Sequence, residues 1–219
     1  MTAEQRRLAL LAGVALVLAL GGGLVLGRGM SSDVARVDHP VDLGFARDMQ
    51  AHHAQAVAMS EIVHRRSPDP ELRTLAFDIL STQQGQIGIM NGWLDVWQPQ
   101  GRPGPAMSWM GEAHDGPMPG MATTAQVERL DRLPLDAMHE EYLRLMVRHH
   151  RGALPMADHA ARNATSPLVV RLARSISSGQ ASEIDLMQDL LRERGHAPEL
   201  DADHHADHHA GGADRQQHG

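Results

Sequence analysis

Two pairs of adjacent histidines, each flanked by methionines, are the residues of this sequence whose types and spacing best suit metal binding. The first set is Met49, His52, His53 and Met59, and the second set is Met146, His149, His150 and Met156. Both sets follow the pattern Met-x-x-His-His-x-x-x-x-x-Met. Thioether sulfur suits Cu(I) and imidazole nitrogen suits Cu(II), whereas hard cations such as Mg²⁺ and Ca²⁺ prefer oxygen ligands. The pattern therefore predicts copper as the bound ion.

Composition narrows the classes of site and partner. The 219 residues include 15 His and 13 Met but no Cys, which excludes disulfides, thiolate metal sites, thiol nucleophiles and a lipid anchor on cysteine. The formal net charge is −7, and arginines are scattered among Asp and Glu without forming a basic stripe. This distribution argues against nucleic acid as a partner.

The two sets belong to an internal repeat with a fixed offset of 97 residues. The same offset relates residues well outside the motif, namely Phe45 and Tyr142, Pro70 and Pro167, Gln83 and Gln180, and Met90 and Met187. Ala, Leu, Met, Arg and Glu at three-to-four spacing favour helices throughout. The repeat therefore predicts an all-α fold, a ferritin-like four-helix bundle made from a duplicated helical hairpin, since one amphipathic hairpin cannot bury its own apolar stripe.

The four long helices must position the two sets. Their predicted bounds are 41–66, 70–97, 136–163 and 167–194, within a bundle at 41–195 whose halves are 41–97 and 136–194. Asp69 before Pro70 and Ser166 before Pro167 predict N-caps for the second and fourth helices. Thr123 with Gln126 predicts a capping box for a short helix. The Met-rich linker at 98–123 lacks a periodic segment up to Met121, and Pro155 is expected to kink the third long helix.

Helical spacing predicts that each motif presents its ligands together. Met49, His52 and Met59 fall within about one quadrant of the helix, and the second set repeats this arrangement. Two imidazoles on a core-facing stripe are desolvated unless each is hydrogen-bonded or ligates a metal. Gln83 and Gln180 could orient these imidazoles or form ordinary core hydrogen bonds. Met90 and Met187 are expected to be packing residues.

Further histidines and methionines lie outside the two motifs. The linker carries Met107, Met110, His114, Met118 and Met121, which fit either a secondary copper site or neutral filler. The polar tail at 196–219 carries His204, His205, His208 and His209. Low-affinity metal capture is the natural interpretation of this tail, and an inert solubilising segment is the alternative.

The N-terminal segment at 1–30 predicts a membrane anchor or a signal peptide. An apolar run extends from Leu8 to Leu26, which would measure about 28 Å as a helix and could cross a bilayer. Arg6 and Arg7 precede the run and favour a cytoplasmic N-terminus. The cytoplasmic membrane is thus an expected partner through this segment. A cleaved signal peptide remains the alternative, and both interpretations place the remaining chain outside the cytoplasm.

From Val41 to Arg194 the chain resembles the bacterial family called domain of unknown function 305. The resemblance rests on the Phe45–Met59 segment, on Met118-Pro-Gly-Met121, and on the Leu145–Met156 segment with the second His-His pair. It implies a ferritin-like helical bundle and an extracytoplasmic copper-binding protein linked to copper tolerance. It also supports the eight motif residues as ligands, but it implies no reaction.

Copper buffering, tolerance or delivery is accordingly the leading functional hypothesis, and the protein is not expected to be an enzyme. One alternative is a di-iron carboxylate oxidase, which needs two Glu-x-x-His motifs. Only Glu61 and His64 form one, because their repeat partners are Asp158 and Ala161. A structural or stress-sensing bundle without metal is the other alternative. The sequence leaves the oligomeric state open.

Overall fold

The structure, a computed structural model, describes residues 39–97, 104–111 and 116–199. Four long helices and one short helix make up most of this region. They are α1 (Pro40–Arg66), α2 (Pro70–Trp97), α3 (Thr124–Leu130), α4 (Leu135–Asn163) and α5 (Pro167–Glu193). The all-α prediction is confirmed, and the long helices begin and end within one residue of the predicted bounds. The anchor segment, His114 and the tail histidines lie outside the described residues. In the part that is described, no helix has the length and apolarity needed to cross a membrane.

Two of the predicted helix starts form as expected. Asp69 Oδ1 accepts hydrogen bonds from the backbone N–H groups of Glu71 and Leu72, which caps α2. Thr123 and Gln126 form both bonds of the capping box that begins α3. Both caps satisfy backbone donors that have no partner within the helix itself.

The N-terminus of α5 corrects the predicted Ser166 cap. The Ser166 side chain makes no capping hydrogen bond. Instead, the fully buried Asp42 of α1 accepts bonds from the backbone N–H groups of Thr165 and Ser166 and from the Thr165 hydroxyl. Asp42 thus holds the two residues that precede α5, and this contact joins the two hairpins.

The two hairpins meet along α1 and α4. One apolar cluster combines the C-terminal half of α1 with the N-terminal half of α4, and a second combines the opposite halves. The two central helices are therefore antiparallel. Each cluster also takes one end of α2 and one end of α5, so every long helix contributes to both clusters.

Part of the linker is fixed against α1, although its sequence has no periodic pattern. Residues Ser108–Met110 form a single 3-10 turn. Asp48 Oδ2 accepts bonds from the Met107 backbone N–H at 2.7 Å and the Trp109 indole N–H at 2.8 Å. The indole of Trp109 covers Gly44, where a Cβ would lie 2.3 Å from the ring. This part of the connection is thus an ordered element rather than a featureless link.

A second part of the linker, Pro119-Gly120, lies directly on α4. A Cβ on Gly152 would be 2.1 Å from the Pro119 carbonyl oxygen, and a Cβ on Gly120 would be 2.4 Å from the Arg148 carbonyl oxygen. Gly120 also has φ +77°, a conformation that favours glycine. Gln55 of α1 holds the chain two residues after Gly120 by two hydrogen bonds to the Ala122 backbone. The linker thereby reaches the centre of the bundle. The helix α4 itself continues without interruption through Pro155.

We expect Gly152→Ala to lower the free energy of unfolding by about 1–3 kcal/mol, because the new methyl group collides with the linker backbone. Gly179→Ala is the matched control, since Gly179 lies in α5 with no atom near its Cβ position. This control should gain about 1 kcal/mol from helix propensity. Urea unfolding of both variants measures the difference. Equal stabilisation of the two variants would contradict the close packing of Pro119-Gly120 on α4.

Candidate metal centre

A buried polar layer separates the two apolar clusters of the core. The layer contains the histidine pairs of α1 and α4, each 0% exposed, together with Gln83 of α2 and Gln180 of α5. Along each long helix these residues lie between the segment that joins one cluster and the segment that joins the other. All four long helices thus place polar side chains at one level of the bundle.

His52 and His149 form the centre of this layer. Their ring centroids are 3.9 Å apart, with the ring planes inclined by 40°. His52 Nε2 lies 2.9 Å from the Pro119 carbonyl oxygen, and His149 Nε2 lies 3.0 Å from the His52 carbonyl oxygen. A carbonyl oxygen only accepts hydrogen bonds, so each Nε2 carries the proton and donates it.

His53 and His150 make equivalent contacts with the outer helices. His53 Nε2 is 2.7 Å from Gln86 Oε1, and His150 Nε2 is 2.7 Å from Glu183 Oε2. Both partners are acceptors, so these two imidazoles also carry the proton on Nε2. Gln86 and Glu183 differ by 97 and lie one helical turn beyond Gln83 and Gln180. Neither residue was predicted as an imidazole partner, although the offset of 97 residues between them is visible in the sequence.

In the described chain, Gln83 and Gln180 take neither of the two roles that the sequence leaves open for them, which are orienting the imidazoles and forming ordinary core hydrogen bonds. Both side chains are buried, yet neither amide oxygen nor amide nitrogen has a hydrogen-bond partner in the described chain. Residues three positions further along each helix make the imidazole contacts instead. The two glutamines add four unpaired polar atoms to the layer.

The four Nδ1 atoms are the decisive feature of the layer. Each is buried and has no hydrogen-bond partner among the described residues. With the proton on Nε2, each Nδ1 keeps a lone pair. Leaving a buried hydrogen-bond acceptor without a partner destabilises the folded state by about 1–3 kcal/mol. A metal ligand with its second nitrogen held by a carbonyl or carboxylate has this arrangement.

Burial also keeps the imidazoles of His52, His53 and His149 neutral. Desolvation lowers the pKa of His52 to about 4 and that of His53 to about 3, and the hydrogen bonds that these imidazoles donate to Pro119 and Gln86 oppose this shift. Desolvation likewise lowers the pKa of His149, and the charges of the three neighbouring histidines add to this effect. Neutral imidazole is the form that binds metal.

The methionines of each motif lie on opposite sides of the layer. Met49 belongs to the same apolar cluster as Met156, and Met59 to the same cluster as Met146. Ten residues of helix correspond to about 15 Å of rise. The prediction that one helix presents both of its thioethers together is therefore wrong, because each thioether pair combines the two helices.

Oxygen-rich alternatives find little support in this region. Among residues 39–97, 104–111 and 116–199, no three His, Asp or Glu side chains converge in a way that could hold an ion. Glu61 is exposed on α1, and His64 Nδ1 contacts the Arg73 carbonyl oxygen rather than the layer. The carboxylate set of a di-iron oxidase is thus not found in the described chain. An ion in the layer has to draw on sulfur as well as nitrogen.

The linker methionines are distributed around the second apolar cluster. Met107 is buried in it, and Met110 and Met118 pack against it while remaining partly exposed. Met121 is partly buried elsewhere. Met110 also lines an open groove of about 870 Å³ with Pro119, Gly152 and His159. The structure thus brings three of the five linker candidates to the cluster that holds Met49 and Met156.

Solved structures of similar proteins share this fold. A candidate secreted DUF305 protein from Streptomyces coelicolor is 48% identical, with a TM-score of 0.68 over 74% of this chain and 97% of that chain. The CopM protein, solved in Cu(I)-bound and Cu(II)-bound forms, is 28% identical, with a TM-score of 0.54 over 69% of this chain and 96% of that chain. CopM has also been solved in a silver-bound form.

A sequence relative of different origin matches a shorter stretch. Uncharacterized protein L153 of Acanthamoeba polyphaga mimivirus is 39% identical over 54 residues, which is 25% of this chain and 36% of that protein. The chain therefore spans about a third of the length of this curated relative. Residues 42–191 match the family described as Domain of unknown function (DUF305). The chain belongs to the DUF305 family.

Proposed function

We propose that this protein binds copper outside the cytoplasm, through the imidazoles of the polar layer and the thioethers on either side of it. The four buried Nδ1 atoms without partners are the observation that carries this proposal. Each imidazole is already oriented by the bond that its Nε2 makes. A bound ion would give the remaining lone pairs the partner that the described chain does not supply.

The donor types favour copper over other metals. Thioether sulfur binds Cu(I) well, while imidazole serves both oxidation states. Zn²⁺ sites are usually completed by thiolate, carboxylate or further imidazole groups, which do not converge in the described region. The similarity to CopM, whose structures contain Cu(I), Cu(II) and silver, supports the same choice.

Two mixed donor sets fit the geometry. His53 follows Met49 by four residues, so both lie on one face of α1, and Met156 of α4 shares the cluster of Met49. The repeat gives the second set, in which His150 follows Met146 and Met59 lies in the same cluster as Met146. His52 and His149 lie between the two sets. In this arrangement each set takes ligands from both central helices.

Binding without catalysis is the role that suits such sites. We assign the protein to copper buffering, tolerance or delivery on a ferritin-like bundle, held at the membrane or released according to the fate of residues 1–30. The apolar run after Arg6 and Arg7 supports the extracytoplasmic location. A similar protein from Streptomyces coelicolor, named as a candidate secreted protein, supports it too.

Replacing His52, His53, His149 and His150 by Ala should abolish tight copper binding, because the layer then offers no nitrogen. The full-length background should carry Asn at His204, His205, His208 and His209, so that the tail does not bind the ion. His64→Ala with His159→Ala is the control, since it removes one histidine from each central helix outside the layer. Chelator competition measures the affinity and circular dichroism the helix content. Unchanged affinity in the folded quadruple variant would disprove the site.

Replacing Met49, Met59, Met146 and Met156 by Leu should lower Cu(I) affinity by more than about tenfold and Cu(II) affinity much less, since sulfur is the softer donor. The free energy of unfolding should change by less than about 1.5 kcal/mol. Met90→Leu with Met187→Leu is the matched control, because these buried methionines lie in the same two clusters. Titrations against a Cu(I) chelator and a Cu(II) chelator measure both losses. Equal losses for the two oxidation states would identify the four methionines as packing residues only.

The metal-free protein should lose stability as the pH falls below about 6.5. The folded-state pKa values of His52 and His53 lie well below the unfolded value, so the unfolded chain binds more protons in this range. Each such group removes up to about 1.4 kcal/mol per pH unit. Urea unfolding between pH 7 and pH 5 measures the slope, and the quadruple Ala variant should show a smaller one. Parallel slopes for the two proteins would contradict neutral burial of these imidazoles.

A further inference from the structure

The two halves of the layer differ in one charge. Gln86 and Glu183 occupy equivalent positions of the repeat, each 2.7 Å from the Nε2 of a fully buried histidine. We infer that this difference makes His150 the preferred position for Cu(II) and His53 the preferred position for Cu(I), with Glu183 and Gln86 as positioning residues. The inference rests on the proposed copper function and adds oxidation-state preference to it.

The equivalence of the two positions isolates the effect of charge. Both histidines are 0% exposed, both donate through Nε2, and both leave Nδ1 without a partner. Their neighbouring methionines are related by the same offset of 97 residues. The acceptor is a neutral amide in one half and a carboxylate in the other, so geometry alone does not favour one oxidation state.

A carboxylate on the second nitrogen changes the ligand itself. It draws the Nε2 proton and thereby raises the electron density that Nδ1 offers to a metal. It would also place a negative charge across the imidazole ring from an ion bound at Nδ1, in a partly desolvated environment where charges interact more strongly than in water. The doubly charged Cu(II) gains more from both effects than Cu(I). The neutral Gln86 amide orients His53 without this bias.

The charge of Glu183 acts on the interior although its side chain is 27% exposed. Tyr142 is fully buried between α1 and α4, and its hydroxyl contacts Ser60. Burial raises the pKa of Tyr142, and the Glu183 charge raises it further, against the opposing effect of the Ser60 hydrogen bond. The charge of this carboxylate therefore acts on a buried group in the apolar cluster beside the layer.

The test compares Glu183→Gln and Gln86→Glu in the full-length protein with the four tail histidines replaced by Asn. Asp185→Asn is the matched control, because it removes one carboxylate from the exposed face of the same helix. Cu(I) and Cu(II) competition titrations, the Cu(II)/Cu(I) reduction potential and Cu(II) paramagnetic resonance spectra are measured for each protein. A merely structural role would not shift the potential while leaving the Cu(I) affinity in place.

Glu183→Gln should lower Cu(II) affinity by about 10- to 100-fold and change Cu(I) affinity by less than about threefold. The reduction potential then rises by about 59 mV for each tenfold change. Gln86→Glu should shift the potential in the opposite direction, and the double exchange should restore two inequivalent sites. Asp185→Asn should leave the potential and the spectrum unchanged.

Equal shifts in Glu183→Gln and Asp185→Asn, or losses of the same size for both oxidation states, would overturn the inference while leaving copper binding intact. Unchanged spectra in both exchange variants would overturn it as well. A parent protein that binds no copper would instead refute the proposed function, and the inference with it. The starting titration of the parent protein thus separates the two failures.

Discussion

Orienting four buried imidazoles in the middle of a helical core is the constraint on which the rest of this structure depends. Unpaired polar groups in a core are destabilising, so each Nε2 needs an acceptor. The acceptors come from four separate elements: Pro119 in the linker, the His52 backbone in α1, Gln86 in α2 and Glu183 in α5. No hairpin satisfies its own histidines alone. The hydrogen bonds of the layer are consequently complete only in the assembled bundle.

The duplicated hairpins are not symmetric at the centre, and the linker is the reason. His149 donates to the His52 backbone carbonyl, so strict symmetry would have His52 donate to that of His149. Pro119 accepts that bond instead, because Pro119-Gly120 is pressed against the α4 backbone where Gly152 leaves room. A similar exchange occurs at the helix starts. Asp69 caps its own helix, whereas the equivalent position, Ser166, relies on Asp42 of α1. Each departure from symmetry ties the first half of the chain to the second.

Local rules were sufficient to predict the helices, the repeat and the burial of the motif residues. Caps, prolines and apolar spacing act within a few residues, so the bounds of all four long helices followed from the sequence. The incorrect predictions concern contacts that depend on the distance along a helix or on a residue of another element. Met49 and Met59 lie on the same face of α1, but the helical rise separates them by about 15 Å along the helix axis. The repeat keeps glutamine at positions 83 and 180 but not at positions 86 and 183. The imidazole partners are nevertheless Gln86 and Glu183. Anchoring of the linker by Asp48 depends on a contact between residues far apart in sequence, which no local pattern encodes.

The presence of a polar layer in the core bears on what the fold has to do. Replacing a buried polar network by well-packed apolar side chains often leaves a bundle equally stable or more so. Here the two apolar clusters are already contiguous with the layer on either side, and Leu, Ile and Met fill the remaining core. A continuous apolar stripe would therefore suffice for folding. The layer instead buries four imidazoles, orients each one through its Nε2 atom and leaves each Nδ1 atom without a hydrogen-bond partner in the described chain. Stability alone does not require that arrangement, whereas the copper binding proposed for this protein does.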